Sequence, residues 1–241
     1  AALPAMSETQ RFLLISMLIG IFAGMLVVCF HIAIDNISWW VLGTPAGTGA
    51  LPVLLAPVLG ALVSSQLVKR VFPAARGSGV NSTKAALYIY DGHVPLGTVA
   101  GKFAACSISI GSGNPLGPED PALQMGAGVA SLLGRTFKLS RDVMRMIAPV
   151  GAAAGIAAAF NTPITAVLFV IEEVLAGWNA GVLGSIVLAA VSAVVVNRTF
   201  LGDQPLFRVP GFQLTHSSEL LIYASIGLAG GLLSVAFVKV I

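Results

Sequence analysis

The first candidate site is a serine between two glycines at residues 77–79, just ahead of a segment at 82–90 that favours a helix. Glycines let the backbone turn tightly and come close to a ligand. The free N–H groups at a helix start suit an anion. The Ser78 hydroxyl could add a hydrogen bond without a full charge, so a halide would be held loosely enough to leave, as conduction requires. A plain glycine turn with a serine cap explains the same residues.

The second candidate is a pair of acids, Glu119 and Asp120, in a proline-rich turn ahead of a helix of small residues. The helix dipole favours acids at a helix start, so the turn could be a capped helix at the water interface. Its apolar flanks instead favour a turn inside the membrane, where a carboxylate is costly and is a functional candidate. There it would take the place that an anion prefers and could act as a tethered competitor.

The third candidate is another acid pair, Glu172 and Glu173, at the end of an apolar helix that starts at Thr162-Pro163. Neighbouring side chains on an α-helix point about 100° apart, so only one of the two acids can face a given path. The pair is either a hydrated helix end or a place where one acid passes protons between the interior and the water.

The elements that position these residues are apolar. Hydrophobic residues make up 56% of the 241 residues and charged residues only 10%, whereas a soluble domain carries roughly 25% charge. Four runs carry no charged residue, at 12–34, 36–68, 146–171 and 220–238. A spanning helix needs about 20 residues; the first three runs exceed that length and the fourth comes close to it. The sequence therefore predicts an all-α, polytopic membrane protein.

Several of the expected helices are too short to span. We expect helices over residues 11–42, 51–71, 82–90, 96–110, 121–133, 141–160, 163–174, 182–196 and 217–241. The segments 121–133 and 163–174 cannot cross a core of about 30 Å alone. Broken helices at membrane depth survive only when they are buried in protein or line a polar cavity, and transporters use them to aim helix N-termini at anions. Tilted, re-entrant helices around an ion or solute path are therefore expected.

Three segments, in order, resemble the CLC chloride channel and transporter family. Residues 77–80 resemble its GSGIP anion-binding turn, residues 117–121 its GREGP segment with the gating glutamate, and residues 151–174 the helix pair that follows. The resemblance covers the first inverted-topology repeat of that fold and one further helix. It implies an N-terminal segment at 1–10, a first membrane repeat at 11–216 and a truncated first helix of a second repeat at 217–241.

The resemblance also implies roles for single residues. Ser78 resembles the central anion-coordinating serine, Glu119 the external gate and proton carrier, and Glu173 the internal proton-transfer glutamate. The implied anion-binding set is Gly77, Ser78, Gly79, Val80, Gly117, Glu119 and Asp120. Lys102 falls where the family often has a basic residue, for which a long-range electrostatic role is expected. The chain departs from the family at three positions, because Asn81 replaces a proline, Pro118 an arginine and Asp120 a glycine.

The function implied by the resemblance is chloride transport, as a Cl⁻/H⁺ antiporter with a glutamate gate. The alternatives are an uncoupled, voltage-gated-type chloride channel of the same fold and a non-transporting half or scaffold. No enzyme, metal or other cofactor is expected, since the acid pairs lack metal ligands or a nucleophile beside them. The expected partners are chloride, protons, lipid and a second copy with the 182–196 helix at the interface, without nucleic acid. A multi-pass location in a bacterial inner or plasma membrane is expected.

Overall fold

The computed structural model describes residues 7–43, 50–177, 180–203 and 216–240. The described residues form ten α-helices, one 3₁₀ turn at Pro73–Ala75 and one π-turn at Val170–Val174. The α-helices are α1 (Glu8–Leu42), α2 (Ala50–Arg70), α3 (Gly79–Tyr88), α4 (Leu96–Gly111), α5 (Glu119–Thr136), α6 (Arg141–Arg145), α7 (Ile147–Phe160), α8 (Pro163–Phe169), α9 (Ala180–Leu201) and α10 (Glu219–Val240). The prediction of an all-α protein is confirmed.

Five helical segments are long and apolar enough to cross a membrane. They are Glu8–Leu42, Val53–Arg70, Arg141–Phe160, Gly181–Leu201 and Glu219–Val240. The protein is therefore a multi-pass integral membrane protein, as the charge-free runs predicted. The short segments α3, α8 and the π-turn cannot span a core of about 30 Å.

Several helix ends differ from the predictions. α1 begins at Glu8 because Ser7 and Gln10 form a capping box. α5 begins at Glu119, two residues earlier than expected, so both acids lie in its first turn, where the dipole favours them. The expected helix at 141–160 breaks at Met146 into α6 and α7.

The chain divides into two compact units, Ala1–Leu206 and Phe207–Ile241. Within the described residues, the second unit consists of α10 and a short turn before it. Residues 1–6 of the expected N-terminal segment and the last residue, 241, lie outside the described part of the chain. The division predicted from the resemblance stays a prediction.

The core of the first unit is built on α7, which is buried from Ile147 to Ala159 and packs against α5, α1 and α9. Small residues let it approach its neighbours closely. A Cβ at Gly126 would collide with the backbone oxygen of Gly151, and a Cβ at Gly155 with that of Ala122. These backbone contacts fix α5 on α7, and with it the first turn of α5 beside α3.

Candidate functional site

The serine turn lies at the N-terminus of α3. Gly77 has a φ of +82°, a conformation that glycine adopts without strain, and the chain then enters the helix at Gly79. Ser78 is the N-cap residue, and its Oγ accepts a hydrogen bond from the Asn81 N–H at 3.5 Å. The serine-cap interpretation is therefore correct. It does not exclude an anion site, because the N–H groups of the first turn remain available to another group.

Asp120 occupies that first turn. Its Oδ1 accepts hydrogen bonds from the Gly79 N–H (2.6 Å), the Val80 N–H (3.3 Å) and the Ser78 hydroxyl (3.2 Å). An anionic oxygen thus sits on the backbone amides of a helix start, where the dipole and the free N–H groups favour negative charge. A carboxylate repels an anion, so only the backbone of Asp120 could serve as an anion ligand.

Lys102 of α4 completes this arrangement. Its Nζ lies 3.0 Å from Asp120 Oδ2 and donates a hydrogen bond to the Gly77 carbonyl at 2.8 Å. The lysine side chain is only 8% exposed, and that of Asp120 is 33% exposed. Lys102 therefore contacts the turn directly, and its expected long-range electrostatic role stays a prediction. One signal in the sequence pointed there, because a lone lysine in an apolar helix needs a partner.

Glu119 lies apart from the serine turn. It is exposed, and its carboxylate folds back against Gly117, where a Cβ would collide with it. Among the residues that the structure describes, we find no hydrogen bond or ion pair for this carboxylate. Of the expected anion-binding set, Asp120 therefore contacts the serine turn at residues 77–80. Gly117 and Glu119 lie against each other instead. The gating role of Glu119 stays a prediction.

A cavity of about 660 Å³ opens beside the turn. Its lining includes Gly77, Ser78 and Asn81 from the turn, together with Gln124 from α5. Gln124 is 1% exposed, and its Oε1 has no hydrogen-bond partner among the described residues. The remaining lining residues are Ala74, Ser82, Ala85, Tyr90, His93, Val94, Pro95 and Thr98. The serine turn is therefore open to a polar-edged cavity large enough for a hydrated ion.

The second acid pair lies on an irregular turn. α8 ends at Phe169 and continues as a π-turn, in which the Leu175 N–H donates to the Val170 carbonyl at 2.9 Å. The angle of about 100° expected for neighbours on a regular α-helix therefore does not apply to Glu172 and Glu173. Both acids are exposed. π-Turns of this kind often occur at functional sites.

Glu173 pairs with Lys84 of α3. The Lys84 Nζ lies 3.4 Å from Glu173 Oε2, and the two side chains are 36% and 48% exposed. In the same region the Tyr88 hydroxyl donates to the Leu175 carbonyl at 2.8 Å. α3 thus contacts Asp120 at its N-terminus and Glu173 about one and a half turns further on, through Lys84. The proton-transfer role of Glu173 stays a prediction.

Comparison with known proteins gives the same family as the motifs. A family profile described as "Voltage gated chloride channel" matches residues 60–241. The chain is 30% identical to the H(+)/Cl(-) exchange transporter ClcA of Vibrio campbellii over 241 residues, which cover 95% of this chain and 51% of that protein. It is 31% identical to the chloride channel protein CLC-e of Arabidopsis thaliana over 248 residues, which cover 91% of this chain and 33% of that protein.

The fold comparison agrees. The structure matches the crystal structure of a slow cyanobacterial Cl⁻/H⁺ antiporter with a TM-score of 0.76 and 25% identity, over 92% of this chain and 54% of that chain. The chain thus spans about half the length of the bacterial relatives that it matches. Membership in a group of channels and transporters supports the expectation that the chain is no enzyme. Because the family profile covers most of the chain, the protein belongs to the voltage gated chloride channel family, which is the CLC family.

Proposed function

We propose that this chain transports chloride across a membrane in exchange for protons, with Glu119 as the gate and Glu173 as the internal proton-transfer group. The observation that carries the proposal is the N-terminus of α3. Two backbone N–H groups and the Ser78 hydroxyl hold an anionic oxygen there, next to a cavity of about 660 Å³. Coupling to protons is supported by the similarity to proteins named as Cl⁻/H⁺ exchangers.

A second candidate is an uncoupled chloride channel. Its support is the ion pair between Glu173 and Lys84, because this pair gives the glutamate a structural role that needs no proton transfer. The similarity to a protein named as a chloride channel also favours it. The exchanger remains the better supported candidate because Glu173 is exposed and held by one weak contact, which leaves it able to exchange protons with water.

Ion flux in liposomes separates the two candidates. We would reconstitute the purified protein and record chloride with an electrode and protons with a pH probe. In an exchanger, a chloride gradient drives protons uphill, and Glu173→Gln stops the proton movement while chloride flux continues. Glu119→Gln removes the charge of the gate and also uncouples the protons. Glu172→Gln is the matched control, and its flux and coupling should equal those of the unmodified protein.

Three results would count against the proposal. Chloride flux without proton movement in the unmodified protein makes it a channel. Uncoupling by Glu172→Gln but not by Glu173→Gln would leave an exchanger but move the proton-transfer role from Glu173 to Glu172. Absence of any anion flux contradicts transport and leaves the non-transporting scaffold.

We further propose a homodimer, as the resemblance implies. α9 carries an exposed apolar stripe at four-residue intervals, formed by Val187, Val191 and Val195. Residues with this spacing lie on one face of a helix. A second copy seated on the stripe would double the protein mass measured by light scattering in detergent, whereas a lipid-covered stripe leaves a monomer.

A further inference from the structure

We propose that Asp120 is a built-in competitor for the transported anion, which must displace this carboxylate from the N-terminus of α3 in order to bind. The proposal rests on the proposed transport of an anion along this turn. It assigns to Asp120, rather than to its neighbour Glu119, the task of filling the serine turn when no anion is bound. The glycine that the family has at this position could not do so.

The first argument is the set of donors. Asp120 Oδ1 uses the Gly79 N–H, the Val80 N–H and the Ser78 hydroxyl, at distances of 2.6 to 3.3 Å. Hydrogen bonds to a charged acceptor are roughly twice as strong as those between neutral groups. A halide at the same helix start would need the same donors. The carboxylate and the halide therefore exclude each other.

The second argument is the buried lysine. The Lys102 side chain is 8% exposed, and its Nζ contacts Asp120 Oδ2 at 3.0 Å. A buried cation without a counterion is costly. If the aspartate moves away or is removed, the lysine remains near the open donors of the turn and favours another anion in its place. The positive charge of Lys102 thus favours an anion at the serine turn, whether that anion is the Asp120 carboxylate or a halide.

The third argument is the space around the turn. Gly77 and Ser78 line a cavity of about 660 Å³, so an anion has a route to the donors. The Asp120 side chain is 33% exposed and can leave without unpacking the core. Gln124 lines the same cavity, and a Cβ on Gly79 would lie 3.0 Å from the Gln124 Cβ. The Oε1 atom of this buried glutamine has no hydrogen-bond partner among the described residues, so no bond through that atom prevents the carboxamide from turning its N–H groups to an incoming anion.

The competing explanation is that Asp120 only caps α3. A cap stabilises the helix and takes no part in anion binding. Its removal would lower the stability of the protein and leave chloride affinity unchanged. Competition predicts a rise in affinity for Asp120→Ala and a smaller one for Asp120→Asn, because asparagine keeps an acceptor oxygen for the turn. Loss of a nearby negative charge without competition would raise the affinity equally in both variants.

The experiment is chloride titration by isothermal calorimetry of the full chain, purified in detergent with gluconate as the only other small anion. We expect Asp120→Ala to raise the apparent chloride affinity by on the order of 10-fold, the effect of a competitor that leaves the site free about a tenth of the time. Asp120→Asn keeps the size and the acceptor oxygen but removes the charge, so a smaller rise is expected. Glu119→Ala is the comparison variant, because it tests whether the neighbouring acid, the proposed gate, competes instead. Glu172→Ala is the control, because it removes an exposed acid outside the serine turn.

Each outcome decides the proposal. Unchanged or weaker chloride binding in both Asp120 variants, with binding intact in the unmodified protein, overturns the competitor role and leaves the transport proposal standing. A rise with Glu119→Ala alone assigns the competitor to Glu119 and also overturns it. If none of the proteins binds chloride, the proposed function fails as well. Should Asp120→Ala not fold, Asp120→Asn carries the test, and a chloride-dependent rise in its Tm larger than that of the unmodified protein supports competition.

Discussion

Two lysine–carboxylate pairs lie at the two candidate sites, and they differ in distance, exposure and the number of further hydrogen bonds. Lys102 and Asp120 lie 3.0 Å apart with side chains 8% and 33% exposed. Lys84 and Glu173 lie 3.4 Å apart and are 36% and 48% exposed. The Asp120 carboxylate accepts three further hydrogen bonds from the serine turn. For the Glu173 carboxylate, the described residues supply only Lys84.

The difference in burial and hydrogen bonding shows which of the two carboxylates, Asp120 or Glu173, is held more firmly. A partly buried pair with additional donors is strong because the low dielectric of the interior strengthens each contact. A solvated pair contributes about 0 to 1 kcal/mol and is screened by salt. The serine turn is therefore preorganised, whereas Glu173 can exchange one partner for another at little cost. The proposed anion site requires a fixed set of donors, and the proposed proton-transfer role requires a carboxylate that can change partners.

The largest effect is expected from Lys102→Met. Methionine keeps the length and the apolar stem of the lysine but removes the charge, so Asp120 stays partly buried without its cation. Breaking such a pair from one side is strongly destabilising. Because Asp120 is a third exposed, we expect a loss of about 2 kcal/mol in the free energy of unfolding, measured by denaturant titration in detergent micelles.

Lys102→Arg is the control for that substitution, because it keeps the positive charge next to Asp120. It should cost clearly less than Lys102→Met. A Lys102→Met protein as stable as the unmodified one would mean that the three donors of the serine turn hold the aspartate without help from the lysine.

The sequence located the serine turn correctly but could not say which acid reaches it. Glu119 and Asp120 both lie in the first turn of α5, and neighbours on a helix point in different directions. Which of them faces Gly79 depends on how α5 is rotated against α3, and the close backbone contacts of α5 with α7 set that rotation. Contacts between residues 41 positions apart, such as Gly79 and Asp120, leave no signal in the local pattern.

The fold was more predictable because long apolar runs report spanning helices directly. α4 ends at Gly111, one residue beyond the expectation, and the five candidate spans all fall on predicted helices. Two irregular features of the helices were not predicted. The break at Met146 and the π-turn at 170–174 depend on tertiary packing and hydrogen bonding, which helix propensity does not encode.

An intermediate effect is expected from Gly79→Ala, which pushes the serine turn away from its aspartate. The added Cβ would collide with the Asp120 backbone oxygen and lie 3.0 Å from both Asp120 Oδ2 and the Gln124 Cβ. Because a backbone atom cannot rotate away, α3 and α5 must separate. Overpacking of this kind costs about 1 to 3 kcal/mol, and the better helix propensity of alanine offsets part of it. We expect a net loss of about 1 kcal/mol in the free energy of unfolding, measured by denaturant titration in detergent micelles.

Gly97→Ala is the matched control in α4, since nothing lies within 4 Å of the added Cβ. It should leave stability unchanged or raise it by less than about 1 kcal/mol. Equal effects of the two substitutions would show that α3 and α5 can move apart at this contact at little cost. The serine turn would then not be preorganised.

The smallest effect is expected from Lys84→Met, at the exposed end of the site. We expect a loss below about 0.5 kcal/mol, because solvated ion pairs contribute little. Salt sharpens the test, since screening acts on exposed pairs far more than on buried ones. Between low and high salt, the cost of Lys84→Met should vanish while that of Lys102→Met persists. If both costs persist equally, burial does not distinguish the two pairs, and Glu173 is fixed as firmly as Asp120. A fixed Glu173 would favour the uncoupled channel over the exchanger, because a carboxylate locked to its lysine cannot carry protons.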